Sequence, residues 1–183
     1  MKIKKSYKLE EACSTDANRE GICEPWIESN GESAKLVTGI GPRAIATDGR
    51  ILAVVPVELQ HEDTGNRIAI KALKESRKAG GSKCEHAFVS LGNAASIATG
   101  GAHYPVTQHR PPVMDRIVPD ENRAPAIAKI RLDASLLLRL AKALGSQNDR
   151  VLLEISGEAD VVIVRPMGEN CDEAFGLIMP VRA

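Results

Sequence analysis

Hydrophobic and polar positions follow two different spacings along the chain, and each change of spacing marks a boundary between predicted elements. The clearest case is residues 43–57, where an apolar, β-branched run is interrupted by Asp48 and Gly49. Glycine accepts the positive φ that a tight turn requires, and an aspartate side chain hydrogen-bonds to the backbone that follows it. The pattern therefore predicts two strands, 44–47 and 51–57, joined in an antiparallel hairpin.

Two segments have helical spacing instead. Residues 71–79 are followed by two glycines, and residues 133–144 are followed by Gly145, a residue type that commonly ends helices. Asp133 is predicted to cap the second helix, because its carboxylate can accept a hydrogen bond from a backbone N–H of the first turn. The predicted apolar stripe of that helix consists of Leu136, Leu137, Leu140, Ala141 and Leu144.

The other apolar runs predict strands. They are 3–9, 22–27, 34–40, 67–70, 88–91, 95–99, 127–132, 151–155, 161–164 and 175–181. Residues 100–125 contain five prolines and predict a linker, because proline cannot donate to a sheet ladder. This order favours an α+β protein with antiparallel sheets, in which a helix followed by strands occurs twice. We expect a single domain over 1–183, with a first part at 1–104, a Pro-rich linker at 105–126 and a βαβββ half at 127–183.

Composition narrows the class of protein. The chain has 183 residues, 43% of them hydrophobic, which is enough for a buried core. No apolar run approaches the roughly 20 residues of a membrane span, and the basic start lacks the apolar stretch of a secretory signal. The four cysteines form no CxxC pair, so we expect reduced thiols and a cytoplasmic location. With 3% aromatic residues, a platform for stacking single-stranded bases is poorly supported.

Charge is segregated along the chain although the formal net charge is +0. Residues 10–34 carry seven acids and one arginine, and residues 154–173 carry six acids and one arginine. Residues 67–83 carry six cations and one acid, and residues 129–150 carry five cations and two acids. Both predicted helices lie in basic blocks, so we expect one positive and one negative surface after folding.

Three stretches resemble the bacterial sliding clamp, the β subunit of the replicative DNA polymerase. Segment 46–53, Ala-Thr-Asp-Gly-Arg-Ile-Leu-Ala, resembles the Ala-Thr-Asp-Gly-x-x-Leu-Ala segment of that family. Segment 112–119, Pro-Val-Met-Asp-Arg-Ile-Val-Pro, is similar to the segment before the last clamp domain. Segment 175–183, Phe-Gly-Leu-Ile-Met-Pro-Val-Arg-Ala, is similar to the clamp's C-terminal strand. The resemblance implies the DNA-clamp fold, with repeated βαβββ halves, antiparallel sheets outside and helices inside.

The resemblance also implies two binding functions and no enzymatic one. Clamps hold short peptide motifs of polymerases and repair proteins in an apolar cleft. Carried over by position, the cleft residues are Thr47, Gly49, Arg50, Leu52, Pro112, Arg116, Ile117, Leu177 and Met179. Clamp helices face duplex DNA and neutralise phosphates without reading bases. The candidates for this contact are Lys71, Lys74, Arg77, Lys78, Arg139 and Lys142. One chain with two helices cannot enclose a duplex, so we expect a homo-oligomer.

Alternatives stay open at this point. A basic helix face is ordinarily a solvated surface, and a leucine such as Leu177 is ordinarily part of a core. The main rival function is an adaptor or decoy that binds clamp-binding proteins without encircling DNA. An enzyme or metal site has weak support, since Cys84-Glu-His86 lacks the spacing of a zinc site and His103 and His109 lie in the Pro-rich linker. The chain contains neither GxSxG nor a P-loop, and we expect no cofactor.

Overall fold

Two antiparallel sheets and two α-helices make up the described part of the protein. The structure is a computed structural model that describes residues 1–28, 41–79, 81–112, 130–146, 150–157, 160–167 and 174–181. The strands and helices are β1 (Lys2–Lys4), β2 (Trp26–Glu28), β3 (Arg43–Thr47), β4 (Ile51–Pro56), α1 (Ile70–Ala79), β5 (His86–Leu91), β6 (Ala95–Ala98), β7 (His103–Pro105), α2 (Ala134–Ala143), β8 (Val151–Glu154), β9 (Val162–Pro166) and β10 (Phe175–Ile178). Two 3-10 segments, Leu9–Glu11 and Ala17–Ile22, lie between β1 and β2. No helix within these ranges is long and apolar enough to cross a membrane.

The predicted hairpin is confirmed as β3 and β4, which pair antiparallel. At its turn, Asp48 Oδ1 accepts hydrogen bonds from the backbone N–H groups of Arg50 and Ile51, at 2.8 and 3.0 Å. Gly49 has a φ of 87°, in the left-handed region that glycine enters without strain. The Asp-Gly pair therefore makes the turn by the mechanism that the sequence predicts.

Strands from both ends of the chain share one sheet. The six-stranded sheet has the order β2-β3-β4-β10-β9-β8, and the four-stranded sheet has the order β1-β5-β6-β7. β10 lies antiparallel between β4 of the first part and β9 of the C-terminal part. The three predicted C-terminal strands are confirmed, and they extend the sheet that contains the hairpin.

A row of small residues lets α2 pack closely on this sheet. Ala46, Ala53 and Gly176 lie opposite one another on β3, β4 and β10. A Cβ atom at Gly176 would lie 2.6 Å from Leu140 Cδ1 of α2, so the absence of a side chain makes room for the helix. The predicted stripe of α2 is buried as expected, except that Leu137 is half-buried.

The opposite face of the six-stranded sheet is also apolar. It carries Trp26, Ile45, Leu52, Val54, Ile163, Phe175 and Leu177, each at most 8% exposed. Side chains alternate between the two faces of a strand, so a strand buried on both faces has an unbroken hydrophobic sequence. This explains why β4 is a continuous apolar run and why residues 44–46 of β3 show no alternation.

Helix α1 packs on the four-stranded sheet. Ala72, Leu73 and Ser76 are buried, and the predicted helix is confirmed with its lysines on the outer side. The predicted strands 88–91 and 95–99 correspond to β5 and β6, which pair antiparallel, and the Gly92 N–H donates to the Ala95 carbonyl at their turn. Each sheet is thus covered by one helix: α1, from the first part of the chain, packs on the four-stranded sheet, and α2, from the C-terminal half, packs on the six-stranded sheet.

Several predicted strands are shorter than expected or absent, and β10 ends at Ile178 although the pattern predicts a strand to residue 181. Of residues 3–9, only the beginning belongs to a strand, β1. Of residues 22–27, only the end does, because residues 17–22 form 3-10 turns in which the Asp16 side chain accepts from the Asn18 N–H. Residues 67–70 form no strand: a single bridge pairs Arg67 with Trp26, and α1 begins at Ile70.

Part of the predicted Pro-rich segment is sheet. Residues 103–105, predicted within the linker, form β7 and pair with β6. Pro105 is tolerated because β7 is an edge strand, whose outer side needs no donor. The predicted strand 34–40 and residues 113–129 lie outside the described residues, and residues 130–132 are not in a strand.

Asp133 is the N-cap of α2, as predicted. Its Oδ1 accepts hydrogen bonds from the Ser135 hydroxyl at 2.6 Å and from the Ser135 N–H at 2.8 Å. These bonds favour the ionised form and hold the pKa of the Asp133 carboxyl below its usual value.

We expect D133A to lower the melting temperature at neutral pH. The lowered pKa means that the stabilisation is present above the unfolded-state pKa, about 3.9, and is lost as the pH falls through the folded-state pKa. The difference between D133A and the wild type should therefore shrink toward pH 2. D133N keeps a capping oxygen and should be the milder, pH-insensitive control. Thermal unfolding followed by circular dichroism tests this, and an equal loss at both pH values would contradict it.

Candidate functional site

Three predicted cleft residues lie side by side on adjacent strands. Leu52 of β4 is opposite Thr47 of β3 on one side and opposite Leu177 of β10 on the other. Ile163 of β9 continues this row beyond Leu177. Directly opposed residues of an antiparallel pair point to the same face, with Cβ atoms about 5 Å apart. The hairpin and the C-terminal strand therefore form one continuous surface.

The Thr47 side chain is used to build the turn beside this row. Its hydroxyl donates to the Ile51 carbonyl at 2.5 Å and accepts from the Gly49 N–H at 3.0 Å. Thr47 is 7% exposed. Its contribution is to fix the turn, since the hydroxyl already has a donor and an acceptor within the hairpin.

Arg50 and Met179 form the accessible end of the row. The Met179 N–H donates to the Arg50 carbonyl at 3.3 Å, one step beyond the pair of Ile51 and Ile178. Met179 is 46% exposed, and Arg50 is exposed. A flexible, unbranched methionine adapts to apolar groups of different shapes, and a guanidinium offers several hydrogen-bond donors.

We call these residues the hairpin–β10 surface: Gly49, Arg50 and Met179 at the outside, with Thr47, Leu52 and Leu177 beneath. The sequence predicts an open apolar wall at Leu52 and Leu177, but these side chains are 3% and 2% exposed, because they pack in the second apolar face of the sheet. Pro112 is half-buried. Arg116 and Ile117, also predicted for the cleft, lie outside the described residues.

A polar cavity of about 320 Å³ adjoins this surface. It is lined by Glu10, Glu11, Cys13, Ser14, Thr15, Asp16, Arg19, Asp48, Arg50 and Arg139. Burial, and then the nearby Glu10 carboxylate, raise the pKa of the Cys13 thiol far above its usual value. Cys13 is therefore a neutral thiol and an inert part of the core, so the cavity offers charge recognition and no thiolate nucleophile.

Four of the six predicted DNA-contacting residues are exposed lysines. Lys71, Lys74 and Lys78 lie on the outer side of α1, and Lys142 is exposed on α2. An exposed, mobile ammonium group can approach a phosphate at little cost. These four positions keep the property that the predicted role requires.

The two predicted arginines are engaged inside the protein. Arg77 pairs with the Glu10 carboxylate and donates to the Tyr7 carbonyl at 2.9 Å. Arg139 pairs with Asp48 at 3.1 Å and donates to the Glu11 carbonyl at 3.2 Å. The acidic block near the N-terminus thus packs against basic helices. The expectation of one positive and one negative surface does not hold for these two arginines, because opposite charges attract most strongly at contact.

Sequence reasoning missed the part that residues 10–19 have in this site. Arg19 Nη1 donates to the Asp48 carbonyl at 2.7 Å and lies over Gly49, where a Cβ atom would collide with its guanidinium. The segment has no regular periodicity. The one signal available was its dense acidic charge, which indicates a basic neighbour without identifying it.

The residues considered for metal binding are separated or engaged. Cys84 Sγ donates to the His86 carbonyl at 3.1 Å. His109 Nε2 lies 2.6 Å from Glu20 Oε2, and His103 is exposed at the beginning of β7. Within the described ranges, no three His, Cys, Asp or Glu side chains are grouped so that they could hold a metal ion.

No protein-family model and no curated protein matches the sequence. Solved structures of bacterial sliding clamps do match the fold. The Caulobacter crescentus beta sliding clamp with PEG bound has a TM-score of 0.69 and 15% identity, over 100% of this chain and 65% of that chain. The Bartonella birtlesii clamp, DNA polymerase III subunit beta bound to griselimycin, has a TM-score of 0.68 and 16% identity, over 100% and 66%.

A third match, the beta chain of DNA polymerase III from Streptococcus pneumoniae, has a TM-score of 0.67 and 14% identity, over 100% of this chain and 64% of that chain. These likenesses show that the chain has the sliding-clamp fold, which confirms the predicted α+β class. At such identities they show the fold alone. The chain spans about 65% of the length of the clamps it matches.

Proposed function

We propose that this protein is a non-enzymatic, cytoplasmic binding protein that captures clamp-binding peptide motifs of replication or repair proteins on the hairpin–β10 surface. The observation that carries the proposal is the direct pairing of Leu52 with Leu177, with Arg50 beside Met179 at the exposed end. Two segments that resemble parts of a clamp cleft are thus neighbours in space. The sliding-clamp fold supports the same proposal.

We expect M179E to weaken the binding of a clamp-binding peptide by at least about tenfold, because a carboxylate would have to be desolvated against apolar peptide side chains. Met179 is 46% exposed, so the free protein should tolerate the change. Fluorescence anisotropy with a labelled peptide measures the affinity.

M167E is the matched control for this experiment. Met167 is 50% exposed and follows β9 at the end of the sheet opposite to Met179, where its N–H donates to the Arg150 carbonyl. It should bind the peptide as the wild type does. If M179E and M167E weakened peptide binding equally, or if neither variant weakened it, the result would count against peptide binding at the hairpin–β10 surface.

We propose in addition that oligomers of the protein contact duplex DNA weakly and non-specifically through Lys71, Lys74, Lys78 and Lys142. K74E should weaken DNA binding at low salt, and replacing one phosphate contact should reduce the slope of log K against log salt by about 1. R150E is the control, because it makes the same change of sign at an exposed residue next to β8, outside the helices. An identical salt slope in K74E and R150E would refute the assignment of Lys74.

A second candidate function is an adaptor or decoy that binds the same peptides without encircling DNA. The internal engagement of Arg77 and Arg139 favours it, because it leaves fewer cations for phosphates. Solution mass by light scattering at several concentrations and salt strengths separates the two. A discrete oligomer supports a clamp, and a monomer at every concentration supports the adaptor.

A further inference from the structure

Asp48 is the residue at which the hairpin turn, α2 and the N-terminal segment meet. Its Oδ1 accepts from the N–H groups of Arg50 and Ile51, at 2.8 and 3.0 Å. Its Oδ2 lies 3.1 Å from Arg139 Nη2, and its carbonyl accepts from Arg19 at 2.7 Å. The Asp48 side chain is 12% exposed, whereas the Arg139 side chain is 36% exposed. A carboxylate held at both oxygens cannot rotate away from the turn.

Arg139 is oriented by two contacts at once. Its Nε donates to the Glu11 carbonyl at 3.2 Å while Nη2 pairs with Asp48, and the side chain is 36% exposed. A guanidinium is planar, so bonds from Nε and from Nη2 fix its plane as well as its position. To reach a DNA phosphate, Arg139 would have to give up Asp48. This geometry suits a support for the turn better than a mobile phosphate contact.

We propose that Arg139 is a positioning residue of the hairpin–β10 surface, which holds Asp48 and thereby keeps Gly49 and Arg50 in the conformation that receives the peptide. The inference rests on the proposed peptide-binding function and deepens it. Binding to an ordered turn avoids the entropic cost of fixing that turn on association. The helix expected to face DNA is in this way mechanically joined to the peptide surface.

The test is a double-mutant cycle on peptide affinity with R139Q and D48N. D48N keeps Oδ1 for the N–H groups of Arg50 and Ile51, and it replaces Oδ2, which pairs with Arg139, by an amide NH2 that has no charge and cannot accept from the guanidinium. We expect each single variant to bind about five- to tenfold more weakly, and the double variant to lose no more than either single one. R139K should be intermediate, because an ammonium can pair with Asp48 but cannot hold the planar arrangement with Glu11.

Two further measurements separate positioning from loss of folding. R165Q is a control that removes Arg165 of β9, which pairs with Glu154 of β8 at 2.5 Å. This variant should bind the peptide with the affinity of the wild type. Hydrogen exchange in the free protein should be faster at the Arg50 and Ile51 amides in R139Q, with the strand amides unchanged.

Each outcome is decisive. Wild-type peptide affinity in R139Q, or losses in the double variant that simply add, would overturn the positioning role while the proposed function stands. A wild-type protein that binds no clamp-binding peptide would overturn the proposed function and this inference together.

Discussion

G176A is expected to destabilise the protein by about 2–3 kcal/mol, the cost of forcing an extra methyl group into a packed interior. The added Cβ would lie 2.6 Å from the Leu52 carbonyl oxygen of β4 and 2.6 Å from Leu140 Cδ1 of α2. The first neighbour is backbone and cannot swing away, and the second is fully buried. The substitution therefore pushes β10 away from β4 or α2 away from the sheet.

Urea unfolding measures this cost, and G41A is its control. A Cβ atom at Gly41 meets nothing within 4 Å, so G41A should lie within about 0.5 kcal/mol of the wild type. Because β10 carries Leu177 and precedes Met179, G176A should also weaken peptide binding. If the urea midpoint of unfolding were the same in G176A and G41A, α2 would not pack on the row of Ala46, Ala53 and Gly176.

R67M is expected to cost about 3 kcal/mol, because it leaves three part-buried hydrogen bonds to backbone carbonyl groups without their donor. Arg67 is 3% exposed and donates to the carbonyls of Gly21 and Glu24 at 3.1 Å, and to that of His109. It also lies over the Trp26 ring, 5.8 Å from its centroid. The Arg67 guanidinium thus links the residues that precede β2 with the segment that follows β7.

The decrease in the free energy of unfolding caused by R67M should be smaller at low pH. Burial raises the pKa of the Glu24 carboxyl, while the Thr107 N–H and the charge of Arg67 act in the opposite direction. The attraction between Arg67 and Glu24 exists while Glu24 is ionised, that is, above this raised pKa, and vanishes as the pH falls through it. Urea unfolding at pH 7 and pH 4 measures the difference.

R165M is the control for R67M. Arg165 is a surface arginine in an ion pair with Glu154, for which we expect less than about 1 kcal/mol. R67K should not rescue the fold, because a lysine ammonium cannot donate to three carbonyls spread around a planar fork. If R67M lowered the free energy of unfolding no more than R165M does, the result would contradict the structural role of the Arg67 hydrogen bonds.

Local chemistry made part of the fold predictable. The Asp48-Gly49 turn, the Asp133 cap and the two helices follow from interactions between residues close in sequence. The placement of β10 between β4 and β9 does not, because a strand's pattern contains no information about its partners. The prediction of a strand at 67–70 was wrong for a related reason. Arg67 is buried by tertiary hydrogen bonds, which the local sequence pattern cannot predict.

The candidate site was predictable only through the resemblance of three segments. That resemblance pointed to two segments that the structure pairs, the hairpin and β10, but it did not predict the burial of Leu52 and Leu177, which depends on the whole second face of the sheet. It also treated Arg77 and Arg139 as free cations, since nothing in the helices shows that Glu10 and Asp48 lie beside them.

The central claim is that the hairpin–β10 surface binds a clamp-binding peptide, and a nuclear magnetic resonance titration of the isotope-labelled protein tests it most directly. We predict saturable shift changes concentrated at the amides of Gly49, Arg50, Leu52, Leu177 and Met179. Saturable changes confined to another surface, such as α1, or no saturable change at all, would contradict the claim.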